Sequence, residues 1–412
     1  MKTLKITDDI TWIGTLDPNI RIFDIIMYTE FGTTYNSYVL KGSEKTAVLD
    51  TAKHKFLESY IDKLTTVTPI DEIDYVIVHH SEPDHSGSLQ YLIEKNPNIK
   101  VIGSPPAIKY LQDILNIPFN GIMAKENETI SLGNKTLRFL MAPNLHWPDA
   151  MYTYVEEEKA LFSCDSFGSH YSFEDVLLSK IKVKDDHKKA IKDYFHDIMS
   201  PFKPFVLRAM DKLKGLDIQL ILTGHGPCID ENIPEAIELY RQWAQDDNPN
   251  TKTTIVIPYV SAYGYTEKMA FAIKEGIEAT GDIDVKMFDM VKEDTQKVVN
   301  EILYSDGFLL GTPTILSEAL KPIWDITAFL NPVFVKDKHA SAFGSYGWSG
   351  EGVPHIIERL KQLRVKVMEG VSVKFNPNEE KLMLCRQFGV DFANQVLSTK
   401  KGSKSNVGVN TP

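Results

Sequence analysis

The chain has 412 residues, 43% of them hydrophobic and 25% charged, with a formal net charge of -11, enough apolar content for two or three ordinary globular cores. The acidic balance argues against nonspecific nucleic-acid binding and against an anionic membrane surface. No apolar run has transmembrane length, and the residues after Met1 lack a signal-peptide core. Three cysteines without a CxxC pair (Cys164, Cys228, Cys385) point to a reducing cytoplasm, no disulfide framework and no cysteine-bound iron–sulfur centre.

In chain order, the first part reads as mixed strands and helices. Strands are expected at Ile22–Tyr28, Tyr35–Leu40 and Thr46–Asp50, and a helix at Lys53–Leu64. Asp74–His79 reads as a buried strand, Ile99–Gly103 as another, and Pro105–Leu115 as a helix opened by proline. Strands follow at Thr136–Met141, Met151–Val155 and Ala160–Ser163, then helices at Asp185–Met199 and Lys203–Leu213, then the strand Gln219–Leu222.

Four metal-capable side chains, His80, Glu82, Asp84 and His85, crowd the loop after the strand Asp74–His79. Two imidazoles and two carboxylates at alternating spacing exceed what a solvated loop needs. His146, Asp165 and His225 also follow strands, where an α/β scaffold exposes functional groups. Taken singly, each of the three reads equally well as a capped or turn residue. Seven ligands from four segments are too many for one ion and suit two ions sharing a carboxylate. His79 should point away from His80 along an extended segment. Cys164 reads as a small buried residue beside Asp165.

The stretch from Asp246 to Thr251 is polar and contains proline, and it divides a first domain at 1–250 from a second at 251–397. Beyond it the pattern turns to regular alternation. Strands are expected at Thr253–Tyr259, Asp284–Met287, Gly307–Gly311 and Ser341–Gly344, with helices at Thr266–Thr280, Ser317–Phe329 and Val353–Leu363. Alternating βα units imply a doubly wound parallel sheet. Residues 398–412 read as a disordered tail.

Three loops of this second part carry phosphate- and ring-binding chemistry. Ser261-Ala262-Tyr263-Gly264-Tyr265-Thr266 follows a strand and opens a helix, offering backbone amides and a positive dipole end to a phosphate. It lacks both the GxGxxG and the GK(S/T) signatures. Thr312-Pro313-Thr314 and Ser345-Tyr346-Gly347-Trp348-Ser349-Gly350 follow the third and fourth strands of this part, at the ends where such a sheet holds its ligand. Trp348 amid small residues is suited to stack on an isoalloxazine ring, so FMN is the expected ligand.

The order H-x-E-x-D-H, then H, D and H, resembles the flavodiiron proteins (A-type flavoproteins). So do Gly32-Thr33-Thr34-Tyr35-Asn36-Ser37-Tyr38 and Ile198-Met199-Ser200-Pro201-Phe202, and the first loop of the second part looks like a flavodoxin phosphate loop with Tyr263 in place of a threonine. The resemblance implies a metallo-β-lactamase-like αββα sandwich followed by a flavodoxin-like domain. It implies one iron on His80, Glu82 and His146, a second on Asp84, His85 and His225, and Asp165 bridging them. In hydrolases of the first fold the place of Glu82 is usually histidine, and a carboxylate there shifts the site from zinc toward iron or manganese. His170 and Tyr194 fall near the centre as outer residues. The implied activity is reduction of O2 to water, or of NO to N2O, with electrons passed from FMN to the irons. An external donor protein or reduced cofactor must supply them. Because the two sites lie on domains joined by a short linker, a head-to-tail homodimer is expected, open to further pairing as a dimer of dimers. The alternatives are a zinc hydrolase fused to a flavodoxin, and a non-catalytic electron carrier or oxygen sensor.

Overall fold

The computed structural model describes residues 2–405 except 25–26 and 246–247, and the backbone alone from residue 400. Two compact units divide at Asp246, four residues before the expected boundary.

The first unit is built on two sheets. One runs, in order, Leu4–Lys5, Ile10–Trp12, Tyr38–Lys41, Thr46–Leu49, Tyr75–Val78, Lys100–Gly103 and Asn120–Met123; the other runs Thr129–Ser131, Thr136–Met141, Met151–Val155, Ala160–Cys164 and Leu220–Thr223. Strand alternation explains the layering. Ile77 and Leu49 share one core with Phe139, Phe162 and Leu222 of the second sheet. On the opposite faces Val76 and Val78 pack with the helix residues Leu64, Leu92 and Leu111, and Leu161 and Ile221 pack with Val206 and Tyr240. This is the expected helix–sheet–sheet–helix sandwich. Tyr75–Val78 lies centrally between two parallel neighbours, and Ala160–Cys164 runs parallel to Leu220–Thr223. The loops after these three strands carry His80 to His85, Asp165 and His225.

The second unit holds a parallel sheet in the order Ile283–Asp289, Thr253–Tyr259, Gly307–Gly311, His339–Tyr346, the last pairing with both Lys366–Val367 and Val371–Lys374. Numbered along the chain this is 2-1-3-4-5, the flavodoxin-like doubly wound order.

Several elements differ from expectation for local reasons. Ile22–Tyr28 is a hairpin, Ile22–Phe23 pairing antiparallel with Met27–Tyr28, with Asp24 at φ 46° in its turn. Tyr35–Leu40 is broken after Tyr35, because Asn36 leaves the ladder to bond elsewhere. Asp185–Met199 is α-helical over Lys184–Tyr194 and continues as a π-helix, Phe195–Met199, a form that recurs at functional sites. Ser317–Phe329 begins instead with a two-strand turn, Thr314–Ile315 against Glu318–Ala319, and the helix starts at Lys321 ahead of Pro322. Residues 398–405 are no tail but the end of the helix Glu379–Ser405, while 406–412 lie outside the described residues. That helix lies against Tyr265–Glu278 at glycines: a Cβ on Gly276 would meet the Arg386 carbonyl at 1.9 Å, and one on Gly389 the Ile273 carbonyl at 2.2 Å.

Candidate functional site

The buried strand Tyr75–Val78 delivers two adjacent histidines in opposite directions, as expected. His79 is fully buried and structural: its Nδ1 lies 2.8 Å from Asp50 Oδ2, its Nε2 2.8 Å from Thr153 Oγ1, and its backbone N–H donates to Asp50 Oδ1. His80 turns the other way, into a cluster of carboxylates and imidazoles.

The seven expected ligands converge as two groups around Asp165. His80, Glu82, His146 and Asp165 form one; Asp84, His85 and His225 form the other, beside the opposite oxygen of Asp165. His80 Nε2 and His146 Nε2 lie 3.8 and 3.6 Å from Asp165 Oδ2 and 3.0 and 3.1 Å from Glu82 Oε2. His85 Nε2 and His225 Nε2 lie 3.0 and 3.5 Å from Asp165 Oδ1, and 3.7 and 3.2 Å from the two oxygens of Asp84. One carboxylate thus presents a separate oxygen to each triad.

Fit to metal shows in the atoms left over. Asp84 Oδ1, His85 Nε2 and Asp165 Oδ2 are buried with no hydrogen-bond partner. The 3.0 Å approach of His85 to Asp165 is an ion-pair distance without hydrogen-bond alignment. Three buried orphans converging on two centres are what a pair of cations satisfies. The far nitrogens are fixed accordingly. His80 Nδ1–H donates to Asp149 Oδ1 at 2.9 Å, and His225 Nδ1–H to the Thr34 carbonyl at 2.6 Å, leaving each Nε2 as the metal-facing atom.

Electrostatics reflect the same crowding. Burial opposes a charged imidazole at His80, but Asp149 and Glu82 outweigh it and lift the group to about 10. Burial pushes Glu82 up, but bonding from His146 and His80 prevails and holds it down at about 2. Burial opposes charge on Asp165 also, and His85 with its neighbours keeps that carboxyl well below its ordinary value. Without metal His80 is therefore held as an imidazolium between carboxylates, and metal entry must expel that proton.

The two outer residues lie on the side of the second triad. Tyr194 O–H donates to Asp165 Oδ1 at 3.2 Å. The His170 ring sits 4.9 Å from Tyr194 and 5.8 Å from His225, with Nδ1 3.0 Å from Thr33 Oγ1 and Nε2 buried without a partner. Burial, reinforced by His225, depresses His170 to about 3, so the ring is neutral. Asp50, His85 and Cys164 also lie together. Asp50 is occupied by His79, and burial pushes the Cys164 thiol well up, so Cys164 stays the small buried residue it was expected to be.

Two supports escaped sequence reading. Asp149 is fully buried and holds both His80 and the Ser81 N–H; its signal was only an acid three residues after His146. Asn36 accepts from Trp12 Nε1 at 2.9 Å and donates to the Thr223 and Gly226 carbonyls at 2.9 and 2.8 Å, while Thr34 Oγ1 accepts from Gly226 N–H at 2.7 Å. The Gly32–Tyr38 segment thereby anchors the His225 loop. Asp149→Asn is expected to lower metal affinity about 10- to 100-fold, the usual effect of losing a carboxylate behind a ligating histidine, with the fold intact by circular dichroism. Wild-type iron retention against a chelator would refute that role.

In the second unit a cavity of about 400 Å³ is walled by Tyr263, Tyr265, Pro313, Thr314, Ser345, Tyr346, Gly347, Trp348 and Ser349, joined by Ile315, Leu316, Ser317 and Phe375, which sequence reading missed. Phe375 follows the strand Val371–Lys374 and so marks the same strand-end rim. Ser261, Ala262, Gly264, Thr266, Thr312 and Gly350 do not line the cavity; several of them shape its loops. Gly264, at φ 78°, precedes the helix Tyr265–Glu278, Ser261 Oγ accepts from Glu267 N–H, and Thr266 Oγ1 lies 2.9 Å from Ser345 Oγ. Among the described residues no basic side chain lines the cavity, so a phosphate there would rest on backbone amides and hydroxyls at the helix start. Trp348, Tyr263 and Leu316 are 95%, 81% and 95% exposed, an open aromatic and apolar rim fitted to a flat ring system.

Comparison with known proteins agrees with both halves. A family described as ODP family beta lactamase matches residues 33–226, and flavodoxin matches residues 257–389. The flavo-diiron protein FprA2 of Clostridium acetobutylicum is 42% identical over 96% of this chain and 100% of its own length. A nitric oxide reductase of Moorella thermoacetica is 34% identical over 95% of this chain and 98% of its own. The rubredoxin oxygen:oxidoreductase of Desulfovibrio gigas superposes with a TM-score of 0.71 at 28% identity, covering 96% of this chain and 99% of that one. With both units accounted for and the likeness running nearly end to end, the chain belongs to the flavodiiron proteins, oxidoreductases that carry FMN and a non-haem diiron centre.

Proposed function

We propose that this protein reduces O2 to water, with His80, Glu82 and His146 holding one iron, Asp84, His85 and His225 the other, and Asp165 bridging them. The observation that carries the reading is the division of Asp165, one oxygen to each triad. When bound, FMN supplies single electrons from a two-electron donor and the iron pair supplies the place where the diatomic is reduced. The chain's residues do the rest. Asp149 and the Thr34 carbonyl fix the rings of His80 and His225, and the Thr223–Gly226 loop is held by Asn36. Tyr194, hydrogen-bonded to the bridge, brings a proton-bearing hydroxyl to the side of the second triad, and neutral His170 stands against it. The phosphate of FMN rests on the Ser261–Thr266 loop and its ring against Trp348. Family membership sets aside the fused zinc hydrolase.

The electrons come from a separate donor protein or reduced cofactor. Catalysis runs in a head-to-tail homodimer, because a linker of about six residues spans only ~20 Å when extended and restricts how the two domains of one chain can meet. Among the described residues no helix is long and apolar enough to cross a membrane, which is consistent with a cytoplasmic protein. NO is the second reading, favoured by the name of the Moorella relative. The test is metal and flavin analysis followed by O2 and NO consumption measured side by side under one reductant. Two irons and one FMN per chain with faster O2 consumption are expected. Stoichiometric zinc, or faster NO consumption, overturns the reading in its metal or its substrate respectively.

A further inference from the structure

Away from both redox sites, the first unit buries an amine without a counter-ion. Lys63, on the helix Leu57–Val67, is 5% exposed. Its Nζ donates to the Gly14 carbonyl and lies 4.6 Å from the centre of the Trp12 ring. Among the described residues no carboxylate comes within ion-pair reach of it. A buried charge is ordinarily paired, because desolvating it alone is costly. Burial indeed depresses this amine to about 8.

Beside it opens a cavity of about 770 Å³, within the range of small-molecule sites. Thr15, 2% exposed, lines this cavity too, and its Oγ1 is buried with no partner. Ser59 and Thr66 share the Lys63 face of the helix, but Ser59 donates to the Phe56 carbonyl and Thr66 to the Lys63 carbonyl. The donors with hydrogens to spare are therefore Thr15 and Lys63, whose ammonium has two N–H beyond the one given to Gly14. Leu16 and Phe56 add apolar wall, Lys2 a second amine, and Asp62 a lone carboxylate, leaving the lining net positive in a chain of charge -11.

We propose that this cavity binds a small molecule through an oxyanion, a carboxylate or a phosphate, with Lys63 as its counter-ion and Thr15 as its hydroxyl donor. Trp12, beneath the amine, is a built-in optical reporter. Binding here does not depend on the irons or on the substrate reduced, so the proposal stands or falls separately from the reductase reading.

The test uses the holoprotein, whose FMN occupies the other phosphate loop. Inorganic phosphate and succinate are titrated in separate arms at constant ionic strength, following tryptophan fluorescence with Trp12→Phe as the blank. Saturable binding of at least one anion below about 10 mM is expected. Lys63→Met should weaken it tenfold or more, with FMN and iron contents unchanged. If Lys63→Met does not fold, Thr15→Val takes its place, with at least threefold weakening expected. The arm that saturates tells phosphate from carboxylate. Absence of saturation in both arms, or affinity within twofold of wild type in the deciding variant, overturns the site.

Discussion

Asp165→Ala is expected to lose the paired metal centre and at least ~100-fold of reductase activity, while the flavin spectrum stays as in wild type. The side chain is 1% exposed and each of its oxygens serves a different ligand triad. Substituting a residue one shell further out typically costs about 10- to 100-fold in metal affinity or activity, and the bridge itself must exceed that. The substitution also removes the acid that lies within 3.8 Å of four imidazoles, leaving Glu82 and Asp84 within the cluster. A helix-capping role would predict only a loss of about 1 kcal/mol in stability, but no helix begins at Asp165; the chain turns there, Gly168 N–H donating to its carbonyl. Iron content and turnover measured together decide it. Retention of both irons with activity within tenfold of wild type would show Asp165 to be structural.

Trp348→Ala is expected to weaken FMN binding by about tenfold or more, the 1–3 kcal/mol that stacking on an aromatic side chain commonly provides, with iron content unchanged. The residue is almost fully exposed, so its truncation removes little packing and should leave the melting temperature nearly unchanged. Normal flavin content with a lowered melting temperature would mean a packing role instead. The same lesion serves a test of assembly. Combined with Gly264→Val, which places a β-branched residue at a left-handed backbone position before the phosphate-loop helix, it gives a flavin-dead chain with intact iron ligands. Mixed with Asp165→Ala protein under demonstrated subunit exchange, it should recover part of the activity, since one interface of the heterodimer then faces a sound flavin with a sound iron pair. No recovery would place electron transfer within one chain.

The candidate metal ligands were legible because chemistry-bearing residues sit just past apolar strands, and a strand followed by two imidazoles and two acids has few other uses. Asp149 was not, since an acid after proline in a loop looks like any turn until the fold sets it against His80. Asn36 hid in the same way: within an apparent strand, a polar residue reads as the solvent face, whereas its side chain spans from Trp12 to the Thr223–Gly226 turn. Alternation along Ile22–Tyr28 could not reveal a reversal at which Asp24 enters the left-handed region. At the chain's end, polar composition concealed a helix whose face is set by Cys385, Phe392, Ala393 and Val396 against the flavin-type sheet. In the second unit the loops that wall the cavity were identified by position at strand ends. The lining residues of the short turn Thr314–Ala319 and Phe375 depended on strands too short or too late for periodicity to show.

Neighbouring His79 and His80 are chemically alike, and only the pleat decides which of them joins the cluster around Asp165. A slide of the strand by a single residue would present His79 to that cluster and turn His80 toward the core, with every hydrophobic residue of Tyr75–Val78 changing face. Asp50 guards against that error by gripping His79 twice, at the backbone N–H and at Nδ1. The carboxylate thus acts as a phase lock: it recognises the histidine that belongs to the core, and in doing so leaves His80 to face the cluster.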